Sequence, residues 1–342
     1  MDRPQTVAIA FAGGLGLAAY HAGVFEAFCN RDLPLHWVSG SSAGAVTAAL
    51  IAGNAPESRV GKLRAFWQFP SASGVPEFGQ LRHLYGWLAA IETRLGGRLG
   101  FFHPRMFALN PFRFRSFYDL TPMKERLLSL VDFGRLNSGE PRLSVAATDI
   151  ESGEVVIFDS SSTRLEIDHL LASCGFLPEF APVQLGDRWL GDGGLSLNVP
   201  FDPILEESAG SLRLYVVDLY PRDGERPRSL EAALERKNDL LFANQTFIRL
   251  SYLARARAAE RQSNGSDVPQ EEIFLLSYRP GIEEPGPEKS FELSAMSFAQ
   301  RWQAGRLDME HALALPACAG ISIVRRSPRG EDTEKRPSGR VA

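Results

Sequence analysis

Within its first 53 residues the chain alternates twice between a short apolar run and a longer apolar stretch of helical spacing, an order that few folds accept. Val7 to Phe11 is an apolar run closed by Ala12-Gly13-Gly14, the pattern of a buried parallel strand turning into a loop. Leu17, Tyr20, Val24 and Phe28 then make a stripe at helical spacing, with alanines between them, up to a break at Asn30-Arg31-Asp32-Leu33-Pro34. His36 to Ser39 predicts a second strand that stops at Gly40, and Ala43 to Ile51 a buried helix ending at Gly53. Strand, helix, strand, helix predicts an α/β fold whose parallel-sheet core is sandwiched by helices.

Further strands are predicted at Leu143 to Ala147, Glu154 to Phe158 and Leu212 to Asp218, with a helix from Ile167 to Cys174, so the pattern runs to about residue 220. The polar stretch Arg222-Asp223-Gly224-Glu225-Arg226-Pro227-Arg228 reads as a linker. Beyond it, Leu230 to Arg261 predicts a long helix and Met296 to Leu315 a second one. The expected organisation is an α/β domain over residues 1–222, a mainly helical C-terminal extension over 223–325, and a charged, disordered tail over 326–342.

A formal net charge of -4 gives no global electrostatic case for nucleic acid as a partner. Cys29, Cys174 and Cys318 are odd in number and widely spaced, which fits neither a disulfide framework nor a zinc site. No cofactor or metal is expected. The start, Met1 to Thr6, lacks the basic and apolar stretches of a secretory signal, and no apolar run nears the roughly 20 residues that span a bilayer. The expected place is the cytoplasm, with any membrane contact peripheral, at the inner surface.

Gly40-Ser41-Ser42-Ala43-Gly44 fits G-x-S-x-G between a predicted strand and a predicted helix. Such a turn lifts the serine hydroxyl above the sheet edge, and the helix that follows points its positive end at developing negative charge. Ser42 is therefore the candidate nucleophile, with Gly40 and Gly44 as the elbow. Ser41 falls at the variable position and is expected to cap the helix. A serine needs a base. Of the histidines, only His311 follows Asp192 as a Ser-Asp-His order requires, and it lies in a predicted amphipathic helix where a surface or packing role fits better. Asp192, in Gly191-Asp192-Gly193-Gly194, sits at a strand end where glycines let backbones approach closely; taken alone it also fits an Asx turn.

A glycine-rich loop after the first strand, G-x-S-x-G after the second, and a distal D-G-G together resemble the patatin-like phospholipase family. The likeness runs over about residues 6 to 220 and includes Ala172 to Pro178, Phe180 to Val183 and Asn198-Val199-Pro200. It implies a lipid acyl hydrolase with a Ser42–Asp192 dyad, Gly193 and Gly194 completing the base motif, and oxyanion-hole amides in the loop Gly13, Gly14, Leu15 and Gly16. The loop departs from the family's G-G-G-x-R/K-G. Leu15 stands for a glycine, Leu17 for the cation and Ala18 for the closing glycine. Backbone amides still serve provided Leu15 avoids a positive φ; losing one donor costs about 10²–10³ in rate. His21, on the helix that follows, reads as packing. The same resemblance extends to a bacterial subgroup with a C-terminal extension.

On this reading the Asp192 carboxylate takes the Ser42 proton as the hydroxyl attacks an ester carbonyl, and the site must shield Asp192 and raise its pKa. Residues 80–115 carry Arg82, Arg94, Arg98, Arg105, Arg113 and Arg115 with one acid, Glu92, a local charge of +5. They also hold Tyr85, Trp87, Phe101, Phe102, Phe107, Phe112 and Phe114. Such a segment fits an anionic lipid surface, or equally a cap packed on the core with its arginines paired. The expected partner is a lipid or acyl-ester substrate; the alternatives are an esterase for thioesters or storage polyesters and a catalytically weak lipid-binding or scaffold protein.

Overall fold

The computed structural model describes residues 5–67, 79–105, 115–208, 210–264, 271–280, 288–316 and 319–324. The N-terminal alternation is there: β1 (Thr6–Phe11), α1 (Ala19–Cys29), β2 (Trp37–Ser41), α2 (Ala43–Ala52) and α3 (Arg59–Trp67). A peripheral stretch follows, with α4 (Gly79–Gly96), the short hairpin strands β3 (His103–Pro104) and β4 (Tyr118–Asp119), α5 (Thr121–Leu130) and α6 (Phe133–Leu136). The chain re-enters the sheet through β5 (Arg142–Asp149) and β6 (Val155–Asp159), then passes through α7 (Ile167–Ser173), β7 (Val183–Leu185), β8 (Arg188–Asp192), α8 (Asp202–Glu207) and β9 (Leu212–Asp218). The last elements are α9 (Leu230–Asn264), β10 (Glu271–Ser277), α10 (Ala295–Ala314) and β11 (Gly320–Val324).

The main sheet runs β11-β10-β9-β1-β2-β5-β8-β7, and every neighbouring pair from β11 to β5 is parallel. At its far edge β5 is shared between antiparallel partners, β6 along Ser144 to Thr148 and β8 along Ala147 to Asp149. The fold is thus a mostly parallel mixed sheet flanked by helices. Its middle strands are apolar because both faces are covered: Ala8, Ile9, Ala10 and Phe11 are fully buried. From β1 the sheet grows one way through β2 and β5 and the other way through β9 and β10. The loop after β1 therefore opens where the direction reverses, the usual ligand crevice of an open α/β sheet.

All ten residues of α2 are buried, and their small side chains are what let a helix sit enclosed on every side. The C-terminal third holds the two expected helices, α9 and α10, and also two strands the sequence reading missed. β10 and β11 continue the main sheet beyond β9, so this region is helical and sheet-forming together. β10 opens on Glu271 and Glu272, residues that argue against a buried strand on pattern alone. Their burial is explained by partners far along the chain, Arg257 on Glu271 and Arg213 on Glu272, each at 2.7 Å. The tail predicted over 326–342 lies outside the described residues.

Candidate active site

Ser42 stands between the last residue of β2 and the first of α2, with φ 54° and ψ −124°. A non-glycine residue there is strained, and its neighbours hold it. A Cβ on Gly40 would lie 2.2 Å from the Gly44 carbonyl carbon, and one on Gly44 2.3 Å from the Phe11 carbonyl oxygen. Both positions admit only glycine, because backbone meets backbone there. The Ser42 amide donates to Ser173 Oγ at 2.9 Å, at the end of α7. Ser173 is fully buried. Ser173→Ala leaves that amide without an acceptor and is expected to cost about 1–3 kcal/mol, read as a lower urea midpoint. Ser41 does not cap α2. It is the last residue of β2, its hydroxyl is buried without a hydrogen bond, and α2 has no side-chain cap.

Asp192 ends β8 and is carried to this point by the pairing of β8 with β5, where Ala147 lies opposite Asp192. The Thr148 hydroxyl donates to the Asp192 carbonyl (2.9 Å), and the Gly194 amide donates to Asp192 Oδ1 (2.7 Å). A Cβ on Gly193 would lie 2.3 Å from Ser41 Oγ and 2.5 Å from the Ala146 carbonyl oxygen, so the turn after Asp192 rests directly on β5 and on β2, the strand that leads into Ser42. Burial pushes the Asp192 carboxyl up to about 7, against the lowering effects of the Ser42 hydroxyl and the Gly194 amide. Its Oδ2 makes no hydrogen bond of regular geometry. The Ser42 hydroxyl is near enough to lower the carboxyl's pKa, and active-site hydrogen bonds commonly tighten only on substrate binding.

The glycine loop is more selective than its sequence suggested. The Gly13 amide is shared between the Asn198 carbonyl (3.2 Å) and Asn198 Oδ1 (3.1 Å), and the Gly16 amide donates to the Ser290 carbonyl (3.1 Å). Of the four residues expected to offer oxyanion donors, Gly13 and Gly16 have already spent theirs. The amides of Gly14 and Leu15 donate to nothing among the described residues. The condition set for Leu15, that it avoid a positive φ, is not met: its φ is 48°. Its side chain packs against the core, and that contact holds a conformation a leucine alone disfavours. A Cβ on Gly13 would meet Asn198 Oδ1 at 2.8 Å and Ser42 Cβ at 3.0 Å, which shows how closely this loop lies against the elbow.

No described histidine hydrogen-bonds to Ser42. His21 is fully buried against Phe11, neither ring nitrogen is hydrogen-bonded, and burial lowers its pKa to about 3. His36 and His169 accept backbone amides, and His311 is exposed on α10. No three His, Cys, Asp or Glu side chains among the described residues are placed to hold a metal ion.

Of the arginine and aromatic segment, the described side chains are mostly packed. Arg94 pairs with Glu288 and covers the Phe291 ring, Arg105 pairs with Asp119 at 3.1 Å, Arg115 covers Trp189, and Phe101 and Phe102 are buried. Tyr85 and Trp87 on α4 are exposed. Arg82, Phe107, Phe112, Arg113 and Phe114 lie outside the described side chains.

Sequence reasoning missed three residues that hold the site. Ser173 and Asn198 lay in segments already noted, without an assigned role, and Gln245 on α9 had no signal at all. Its side chain reaches both Asn198 and Gly194.

With this geometry in place, the sequence profile of the family described as Patatin-like phospholipase matches residues 9–205, more than half of the chain. The chain belongs to the patatin-like phospholipase family. No curated protein matches it at the level of sequence. Solved structures similar to this patatin-like chain include VipD from Legionella pneumophila, at 14% identity and TM-score 0.38, covering 89% of this chain and 67% of that one. Human GIVD cytosolic phospholipase A2 is 12% identical with TM-score 0.41, covering 90% of this chain and 60% of that one. ExoU, in its complex with SpcU from Pseudomonas aeruginosa, is 17% identical with TM-score 0.33, covering 89% and 53%. The patatin-like chain thus spans between about half and two thirds of the length of these proteins, and at such identities the likeness says nothing about activity.

Proposed function

We propose that this chain hydrolyses carboxylic esters of lipids through a Ser42–Asp192 dyad. The observation that carries the reading is a partly exposed serine in a strained strand-to-helix turn beside a buried carboxyl held near pKa 7. Asp192 accepts the hydroxyl proton as Ser42 Oγ attacks the ester carbonyl. The oxygen that becomes negative is met by the Gly14 and Leu15 amides, which have no acceptor among the described residues, Leu15 offering its own at a positive φ that its core packing holds, and the α2 N-terminus adds its partial positive charge. Collapse releases the alcohol, which takes the proton from Asp192 and leaves Ser42 acylated. Water then attacks the acyl group with Asp192 again as base and restores the serine.

A long apolar acyl chain suits what borders the site. Leu195, in the turn that follows Asp192, is 39% exposed, while Leu241 and Ile248 on α9 are 57% and 51% exposed. Those two stand four residues before and three after Gln245, on the helix face that reaches the base turn. Residues of that kind meet acyl chains or a bilayer surface, and the protein would act from the cytoplasmic side as a peripheral visitor. Among the described residues no helix is long and apolar enough to cross a membrane. Leu15 in a left-handed conformation favours a second reading, a catalytically weak lipid-binding protein.

p-Nitrophenyl esters of increasing chain length separate the two. The hydrolytic reading expects a burst close to one product per protein and rates that rise with acyl length, both absent from Ser42→Ala. No turnover, or turnover indifferent to Ser42, would overturn it.

A further inference from the structure

We propose that Gln245 is a positioning residue that braces the turn from Asp192 to Asn198, the turn on which the glycine loop rests through Asn198, so that α9 of the C-terminal region completes the active site; this rests on the dyad reading above. Gln245 Nε2 donates to the Gly194 carbonyl at 3.1 Å, and its Oε1 accepts the Asn198 amide at 2.9 Å. Each of those partners reaches one side of the site. Gly194 gives its own amide to Asp192 Oδ1 at 2.7 Å. Asn198 accepts the Gly13 amide through both its carbonyl and its Oδ1, and Gly13 lies against Ser42. One carboxamide therefore braces both ends of a single turn, Gly194 to Asn198, whose first end bonds Asp192 and whose last end receives the Gly13 amide from the opposite end of the family-matched segment. It also lies beyond residue 205, where the family match ends.

The chemistry of the two contacts requires an amide. Gly194 presents a carbonyl and needs a donor, while Asn198 presents an N–H and needs an acceptor; an ionised carboxylate satisfies only the second. The residue is held for the task by its own helix. Ala243, Thr246 and Leu250 of α9 are buried, Phe242 stacks on Tyr220 with ring centroids 4.6 Å apart, and Arg249 pairs with Asp202 one turn on.

Removing the Nε2 donor frees the Gly194–Leu195 peptide and, through the Gly194 Cα, loosens the neighbouring Gly193–Gly194 peptide whose N–H hydrogen-bonds Asp192 Oδ1 and favours its ionised form, so the Asp192 titration moves to higher pH. The titratable groups that face Asp192 are the Cys174 thiol beyond α7 and the Tyr220 hydroxyl beyond β9. Both are raised by burial first and by the Asp192 charge as a lesser cause. Gln245→Glu loses the donor and adds a like charge, so its shift is the larger of the two.

The test is the carbon-13 titration of the aspartate carboxyls in the full chain, with the Asp192 resonance assigned by its absence from Asp192→Asn, in the native protein, Gln245→Ala and Gln245→Glu. Alongside it, kcat and KM are measured on one p-nitrophenyl ester. The expected result is an Asp192 midpoint that rises from native to Ala to Glu, with kcat lowered about tenfold and KM within about twofold. An Asp192 midpoint unmoved in both variants would overturn the proposal, whatever happens to the rate, because a merely structural role lowers stability without moving that titration. If Gln245→Ala fails to fold, the nearly isosteric Gln245→Glu decides alone. Native protein without Ser42-dependent turnover would refute the dyad reading, and the carboxyl titration would still decide Gln245.

Discussion

Asp192→Asn is expected to lower kcat/KM for ester hydrolysis by about 10³-fold and, at the same time, to make the fold more stable above neutral pH. The loss of rate follows from chemistry. An amide is isosteric with the carboxylate, keeps an oxygen for the Gly194 amide, and cannot take the Ser42 proton. The gain follows from burial. Asp192 is 2% exposed, and its carboxyl is held at about 7 against an ordinary value of 3.8. The folded state therefore binds its proton more tightly than the unfolded state. Stability from this group is fully present below pH 4 and is lost as pH rises through about 7, where the ionised form costs the fold on the order of 4 kcal/mol.

The asparagine carries no such charge at any pH. The difference in unfolding free energy between variant and native protein should be small at pH 4, grow across pH 4 to 7, and level off above it. In the native enzyme kcat/KM should rise with pH through about 7, because the base works only when ionised. Urea unfolding at a series of pH values, with initial rates on a p-nitrophenyl ester, measures all three. A variant no more stable than native protein at pH 8 would contradict the burial argument; one that keeps most of its activity would remove Asp192 from the chemistry. A group so placed trades stability for function.

Gly23→Ala should be destabilising by about 3 kcal/mol or more, although on helix propensity alone it would stabilise by about 1 kcal/mol. The opposite signs make the measurement decisive. α10 lies across α1 with backbone against backbone. A Cβ on Gly23 would fall 1.8 Å from the Trp302 carbonyl oxygen, and one on Gly305 2.0 Å from the Tyr20 carbonyl oxygen. Carbonyls cannot swing aside as side-chain tips do, so the helices must part. Parting them strains Trp302 Nε1 on Glu26 (2.7 Å) and the Tyr20 hydroxyl on Asp308 (2.8 Å).

The damage should reach the site. Arg301 on α10 is fully buried and donates to the carbonyls of Lys289 and Glu292, the residues on either side of the Ser290 carbonyl that receives the Gly16 amide. Gly23→Ala is thus expected to lower the urea midpoint and to slow ester hydrolysis together. A midpoint equal to or above that of the native protein would mean that the crossing yields more easily than its geometry implies.

Much of the architecture was readable one residue after another. The first two strands and helices could be drawn from apolar spacing and glycine punctuation, because each period is a local property of the chain and both faces of the central strands are covered. The turn at Ser42 was legible as a pattern, G-x-S-x-G between a strand and a helix, although what demands Gly44 is visible only in the fold, where it packs on the Phe11 carbonyl of β1. β10 was not legible: Glu271 and Glu272 are tolerable in a buried strand only because arginines from α9 and β9 arrive to meet them. Nor was the conformation of Leu15, which depends on packing its side chain against the core.

The sequence by itself determined the α/β alternation, the strand-to-helix turn at Ser42 and the glycine-flanked aspartate, since these are set by residue type and spacing over short stretches. Only the tertiary structure decided which amides of the glycine loop remain undonated, that burial lifts the Asp192 carboxyl, and that Gln245 and Ser290 of the C-terminal region grip the loops of the site. Those outcomes depend on desolvation and on hydrogen-bond partners dozens to hundreds of residues apart, and a donor or a charge acquires its energy from what surrounds it in space.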